Sequence, residues 1–152
     1  SMKSFQGLPH RFEIFFKRKN FTFINDSKAT SFKATQLALS SLRNIYWILG
    51  GLPKKNDQIN VSKYKKNILK CYIIGKYTNF FKNQIKGKLV FSVTKNLKKS
   101  IIQIMKDSKT QDYSEKTILL SPSAASFDQF INFERRGEEF KRLCKKYARK
   151  FI

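Results

Sequence analysis

A chain of 152 residues is long enough for one domain with its own core, and 41% hydrophobic with 14% aromatic residues excludes an intrinsically disordered chain. The 32 Lys and Arg against 10 Asp and Glu leave a formal net charge of +22, which taken alone invites nucleic acid as a partner. The basic residues are mostly lysines scattered among Asn and Ile, the bias of an AT-rich coding sequence, and no RNP aromatic motif, zinc-finger spacing or block-like basic arm accompanies them. The charge therefore reads as solvated faces, or as a field that steers small anionic substrates, and no specific nucleic acid is expected. No apolar run approaches a membrane span and no cleavable leader pattern opens the sequence, so no membrane partner is expected. Cys71 and Cys144 lie far apart, in an apolar run and on a helix face, which suits core packing in a reducing cytoplasm better than a disulfide or a metal site.

Taken in order, Ser1-Met2 reads as an expression remnant, and Gly7 and Pro9 mark residues 1–9 as a linker ahead of a single domain. Phe12–Phe16 and Phe21–Ile24 read as two strands joined by a turn at Arg18-Lys19-Asn20, an N-terminal β-hairpin. Asn25-Asp26-Ser27-Lys28-Ala29-Thr30 follows the second strand directly, and polar residues at a strand's carboxyl end are where α/β sheets place ligands. Ser31 is a good helix cap, and the helix to about Leu42 is expected to turn Leu37, Ala38, Ser41 and Leu42 inward. A strand over Asn44–Leu49 ends in Gly50-Gly51, which permit a close approach of backbone to ligand, although the Walker pattern G-x-x-x-x-G-K-[ST] is absent. The middle predicts a short helix over Ser62–Ile68, a strand over Leu69–Ile74, a helix over Asn79–Lys86 and a strand over Leu89–Val93. An amphipathic helix over Asn96–Ser108 follows, with Leu97, Ile101, Ile104 and Met105 on its buried side. Such alternation is the pattern of a mostly parallel sheet covered by helices on both faces.

Thr117–Gly137 carries the most information: a buried strand at Ile118-Leu119-Leu120, the small-residue run Ser121-Pro122-Ser123-Ala124-Ala125, then Ser126-Phe127-Asp128-Gln129. The S-x-x-Q spacing predicts a capping box with Ser126 as helix N-cap, whose free N–H groups suit a carboxylate or phosphate. The final helix, Glu134 to about Lys150, is expected to bury Phe140, Leu143, Cys144 and Tyr147.

Four strings together, G-L-P-H-R-F-E, N-D-S-K-A-T, I-L-G-G-L-P-K and S-F-D-Q-F-x-N-F-E-x-R-G, resemble the C-terminal domain of the D-glutamate-adding Mur ligases of peptidoglycan synthesis. The resemblance runs from Phe5 to about Tyr147 and implies a Rossmann-like α/β domain of a monomeric, cytoplasmic, ATP-dependent acid–amino-acid ligase. In such enzymes ATP and Mg²⁺ convert the carboxylate of UDP-N-acetylmuramoyl-L-alanine to an acyl phosphate, which the amine of D-glutamate attacks. The magnesium ligands belong mainly to a central domain that this sequence does not contain. The resemblance implies no catalytic and no metal residue here, and a chain inactive by itself. It places Thr30, Lys54, Ser126, Phe127 and Phe133 around D-glutamate, and Arg11, Asp26 and Lys28 towards ATP. Lys55 competes with its neighbour Lys54, Phe133 fits pocket wall and core equally, and His10 reads as a hydrogen-bonded linker residue in preference to a general base. Two other readings are a related Mur or folylpolyglutamate ligase, which lacks the last string, and a basic Rossmann-like nucleic-acid-binding module.

Overall fold

The computed structural model describes residues 8–152; the remnant expected at Ser1-Met2 and the linker glycine Gly7 lie outside the described residues. Closely spaced phenylalanines build the entry to the sheet. Strands β1 (Glu13–Arg18) and β2 (Phe21–Asn25) pair antiparallel across a tight turn in which Lys19 adopts φ 52°. Phe16 packs on Phe23 across the pair, with ring centroids 5.2 Å apart.

Helix α1 (Phe32–Ser41) starts where expected, with Ser31 Oγ accepting from the Ala34 N–H at 3.3 Å. Its buried face is different from the expected one. Phe32, Thr35, Ala38 and Leu39 face inward, while Leu37 is 67% exposed and Ser41 lies at the surface. The inward stripe contains a polar residue, Thr35, held by two serine hydroxyls; a reading that follows hydrophobicity alone slips past it.

Strand β3 (Ile45–Gly50) is buried along its whole length, as befits an interior parallel strand. A 3-10 helix (Ser62–Asn67) leads into β4 (Ile68–Ile74), followed by α2 (Thr78–Ile85), β5 (Phe91–Lys95) and α3 (Leu97–Ser108), which Asn96 caps. Strand β6 (Lys116–Leu120) and helix α4 (Phe133–Phe151) complete the described chain.

The six strands form one sheet in the order β1-β2-β6-β3-β4-β5, with only the β1–β2 pair antiparallel. Alternation along the strands divides the core into two layers. Phe23, Tyr46, Ile48 and Tyr72 pack with Ile101 and Ile104 of α3 and Phe140 and Cys144 of α4. On the other face Trp47, Leu49 and Ile73 pack with Leu39 of α1, Phe81 of α2 and Tyr64 of the 3-10 helix. The mostly parallel sheet covered on both faces, with its N-terminal hairpin, is thus as expected. Both cysteines are buried free thiols, and burial pushes each thiol's pKa up, away from reactivity. Among the described residues no helix is long and apolar enough to cross a membrane. Because β2, β3, β4, β5 and β6 run parallel, their following loops gather at one end of the sheet.

Candidate functional site

Three of those loops are joined by short hydrogen bonds that the small residues after β6 make possible. The Asp26 N–H donates to Leu120 O (2.7 Å), and the Ser123 N–H donates to Ala29 O (3.0 Å), tying the loop after β2 to the loop after β6. Ser121 Oγ donates to Asp26 Oδ2 (2.7 Å) and also lies 2.9 Å from Thr35 Oγ1, while Ser123 Oγ lies 2.8 Å from the same threonine. On the other side the Gly50 N–H donates to Pro122 O (2.9 Å), and Leu52 and Ala125 exchange two bonds as an antiparallel bridge. Larger side chains in place of the buried Ser121, Ser123 and Ala124 would hold these backbones apart. Further along the loop after β3, Asp57 Oδ2 accepts from the Phe32 N–H (3.1 Å), which fixes this loop to the start of α1.

The segment 126–130 forms a single turn of its own and then stops. The Gln129 and Phe130 N–H groups both donate to Ser126 O, at 3.0 and 2.8 Å, but the long helix begins only at Phe133, with Asn132 as its N-cap accepting from Arg135 N at 2.8 Å. The capping box expected at Ser126 is therefore not formed. Gln129 instead sends its side-chain amide to Lys95 O (2.9 Å), and Asp128 Oδ2 accepts from the Lys76 N–H (3.0 Å). Asp128 and Gln129 thus tie the turn to the loop after β4 and to the end of β5. Ser126 itself is 2% exposed, and its hydroxyl has no partner within the described residues. A buried hydroxyl without a protein partner costs free energy, which a ligand or an ordered water at this end of the sheet would relieve.

Arg136, in the first turns of α4, is 1% exposed and lies at the back of the same region. Its Nε donates to Ser27 Oγ (2.9 Å) and its Nη2 to Ser27 O (2.7 Å), while Ser27 Oγ in turn donates to Phe133 O (2.7 Å). Nη1 has no partner. Burial pulls this guanidinium's pKa down to about 10, opposed by the nearby Asp128 carboxylate, so it remains charged at neutral pH. Gly51, at φ 138°, lies so close that a Cβ there would sit 3.2 Å from Nη1. Neither Arg136 nor Ser27 was singled out as a site residue by sequence reasoning. The available signal was spacing: residue 136 falls on the same face as Phe140, Leu143 and Tyr147.

No protein-family model matches the chain. Curated relatives do. The UDP-N-acetylmuramoylalanine–D-glutamate ligase of Rickettsia conorii is 40% identical over 144 residues, 95% of this chain and 29% of the relative. The ligase of Nitrobacter hamburgensis is 38% identical over 144 residues, 95% of this chain and 31% of the relative. That of Wolbachia sp. subsp. Brugia malayi is 39% identical over 150 residues, 99% of this chain and 30% of the relative. The chain is homologous to the C-terminal domain of these ligases. It spans between 29% and 31% of the length of these three D-glutamate ligases.

Within this chain, Arg11, Asp26 and Lys28 line one cavity of about 270 Å³, together with Phe12 and Leu37. Lys28 Nζ stands 5.9 Å from the centroid of the Phe133 ring, which also meets His10 edge-on at 6.0 Å. Phe133 is half-buried, Phe127 is 68% exposed, and Lys54 and its neighbour Lys55 are both exposed on the loop after β3. Thr30 is half-buried immediately before α1. His10 is buried and hydrogen-bonds Asn25 (2.9 Å), as the linker-residue reading expects.

The Asp26 carboxylate is engaged within the fold, accepting from the Phe12 N–H (2.9 Å) and from Ser121 Oγ. Burial raises its pKa, against the opposing pull of those two donors and of Arg11. With the folded value above the unfolded one, its contribution is fully present below the unfolded pKa and is lost as pH rises through the folded one; at neutral pH the ionised group opposes folding. Asp26→Asn keeps an acceptor for Phe12 and offers an amide to Ser121. It is expected to unfold at the same or a higher denaturant midpoint at pH 7, and the difference is expected to shrink on acidification. Urea titrations at several pH values check the sign; a variant equally destabilised at every pH would refute it.

Proposed function

We propose that this chain is the D-glutamate-binding domain of an ATP-dependent ligase of peptidoglycan synthesis, the enzyme that joins D-glutamate to UDP-N-acetylmuramoyl-L-alanine. The observation that carries the reading is the buried Ser126 hydroxyl, without a partner among the described residues, beside the Leu52–Ala125 bridge that joins the loops after β3 and β6. In this reading Thr30 and Lys54 hold one carboxylate of D-glutamate, and Ser126, with Phe127 and Phe133 beside it, holds the other. Arg11 and Lys28, at the mouth of the 270 Å³ cavity, face the phosphates of ATP, with Asp26 fixing the loop that carries Lys28. Pairing a dicarboxylate with an ammonium and two hydroxyls is sound electrostatics. The domain's contribution is position: it presents the amine to an acyl phosphate formed elsewhere in the enzyme. Among the described residues no group of three or more His, Cys, Asp or Glu could hold a metal ion.

Steady-state kinetics of the full-length ligase test the assignment. Lys54→Ala and Ser126→Ala each remove a hydrogen bond to a charged group, worth about 1.5–3 kcal/mol, or roughly ten- to a hundredfold in kcat/KM for D-glutamate. The KM for ATP is expected to move much less. Lys55→Ala is the control for its neighbour. An unchanged glutamate dependence in both Lys54→Ala and Ser126→Ala would sink the proposed pocket.

A further inference from the structure

The opposite end of the sheet carries a second, unassigned feature. Lys116 opens β6, is 8% exposed, and pairs in register with Phe21 at the start of β2. Its Nζ donates to Ser108 O at 2.8 Å and stands 5.3 Å from the centroid of the Phe21 ring. An ammonium has three N–H donors, and the described residues supply one hydrogen-bond acceptor and one ring face. Buried lysines are ordinarily paired with a carboxylate. Among the described residues no carboxylate lies within ion-pairing distance of Lys116, or of Lys19 and Lys109 nearby.

These three lysines line a single cavity of about 220 Å³, whose apolar wall includes Phe21 and Phe151. Lys109 Nζ stands 5.2 Å from the Phe151 ring centroid, which holds that ammonium at the rim, and Lys150 Nζ approaches the same ring at 6.0 Å. Neither Asp nor Glu lines the cavity; Ile152, whose carboxylate ends the sequence, does line it but forms no ion pair with the three lysines among the described residues. Three ammonium groups converging on one small cavity concentrate positive potential there.

We propose that this cavity, formed by the starts of β2 and β6 and the ends of α3 and α4, binds a phosphate dianion, either free or as the terminal phosphoryl group of a small molecule. Lys116 forms the floor of the site, completing its donor set on the anion, and Lys19 and Lys109 close over it from the rim. The lysine point charges suit a compact, multiply charged oxyanion better than an extended ligand. The site is independent of the glutamate pocket, since the two lie at opposite ends of the parallel strands.

The probe is inorganic phosphate, followed by backbone NMR of the chain at constant ionic strength set with chloride. Saturable shifts at Lys116, Ser108 and Phe151 are expected. The double variant Lys19→Gln/Lys109→Gln alters two exposed side chains and preserves the core; it is expected to weaken binding at least tenfold, as is Lys116→Met if it folds. Shifts that never saturate, or saturation unchanged in the double variant, overturn the proposal. Phosphatidylglycerol vesicles and duplex DNA are the competing arms. Binding of either through the same lysines, with no saturation by inorganic phosphate, would assign the surface to a membrane or to nucleic acid and equally overturn the small-anion site.

Discussion

Gly50→Ala is expected to destabilise the chain by roughly 2–6 kcal/mol, combining backbone strain with overpacking. Gly50 adopts φ 126°, a conformation that side chains strongly disfavour, and a Cβ there would fall against the backbone carbonyl of Ile74 on the neighbouring strand. Backbone, unlike the end of a flexible side chain, cannot swing aside. β3 and β4 would have to part where Gly50 pairs with Ile74, and the Gly50 N–H bond to Pro122 O would go with them. Against a typical stability of about 5–15 kcal/mol, this is a large fraction. Differential scanning calorimetry is expected to show the midpoint lowered by roughly 5–20 °C. A variant melting within a degree or two of the parent would mean that the strand ends are far more pliant than these contacts require.

Arg136→Met is expected to be the most damaging single change to the site outside the residues assigned to substrate. It deprives Ser27 Oγ and Ser27 O of their guanidinium donors in a region closed to water, at about 1–3 kcal/mol for each acceptor left unpaired. Relief from burying a charge offsets part of this, leaving a net loss of roughly 2–4 kcal/mol. The distinctive outcome is local. Hydrogen exchange is expected to quicken across residues 26–30, the loop that carries Asp26, Lys28 and Thr30, more than across β3. Arg136→Lys preserves the charge but has no planar fork to reach both Ser27 atoms, so it is expected to restore less than half of the loss. Uniform quickening over the whole sheet would instead make Arg136 an ordinary core residue.

Much of the architecture was legible because hydrophobicity and chain direction agree. β2 is apolar but for Thr22 up to its end at Asn25, β3 is apolar throughout, and the stripe Leu97, Ile101, Ile104, Met105 occupies the buried side of α3 as its spacing demands. Errors arose where polar side chains occupy the interior. Thr35 is buried and bonded by Ser121 and Ser123, and hydrophobic periodicity carries no trace of bonds between α1 and the loop after β6. The capping box failed for a similar reason. Ser126 and Gln129 have the right spacing, but Gln129 finds Lys95 O and Asp128 finds Lys76, so the turn is spent on tertiary contacts and the helix waits for Asn132. Arg136 was hidden by its surroundings: on a helix crowded with Lys and Arg, one inward-facing arginine differs from its solvated neighbours only in its register with Phe140.

The position of β6 has a consequence for how the chain is made. The last strand in sequence is inserted in the interior of the sheet, between β2 and β3, and the Asp26–Ser121 bond spans 95 residues. Until the ribosome has released β6, β2 and β3 each present an unpaired inner edge, and the nascent chain is two half-sheets with nothing between them. Contacts of such long range form slowly, and bare strand edges recruit other strands meanwhile. The ligand-facing loops are therefore shaped last, when β6 draws the two halves together, and any hold-up in its synthesis leaves the cell with an aggregation-prone intermediate lacking a pocket.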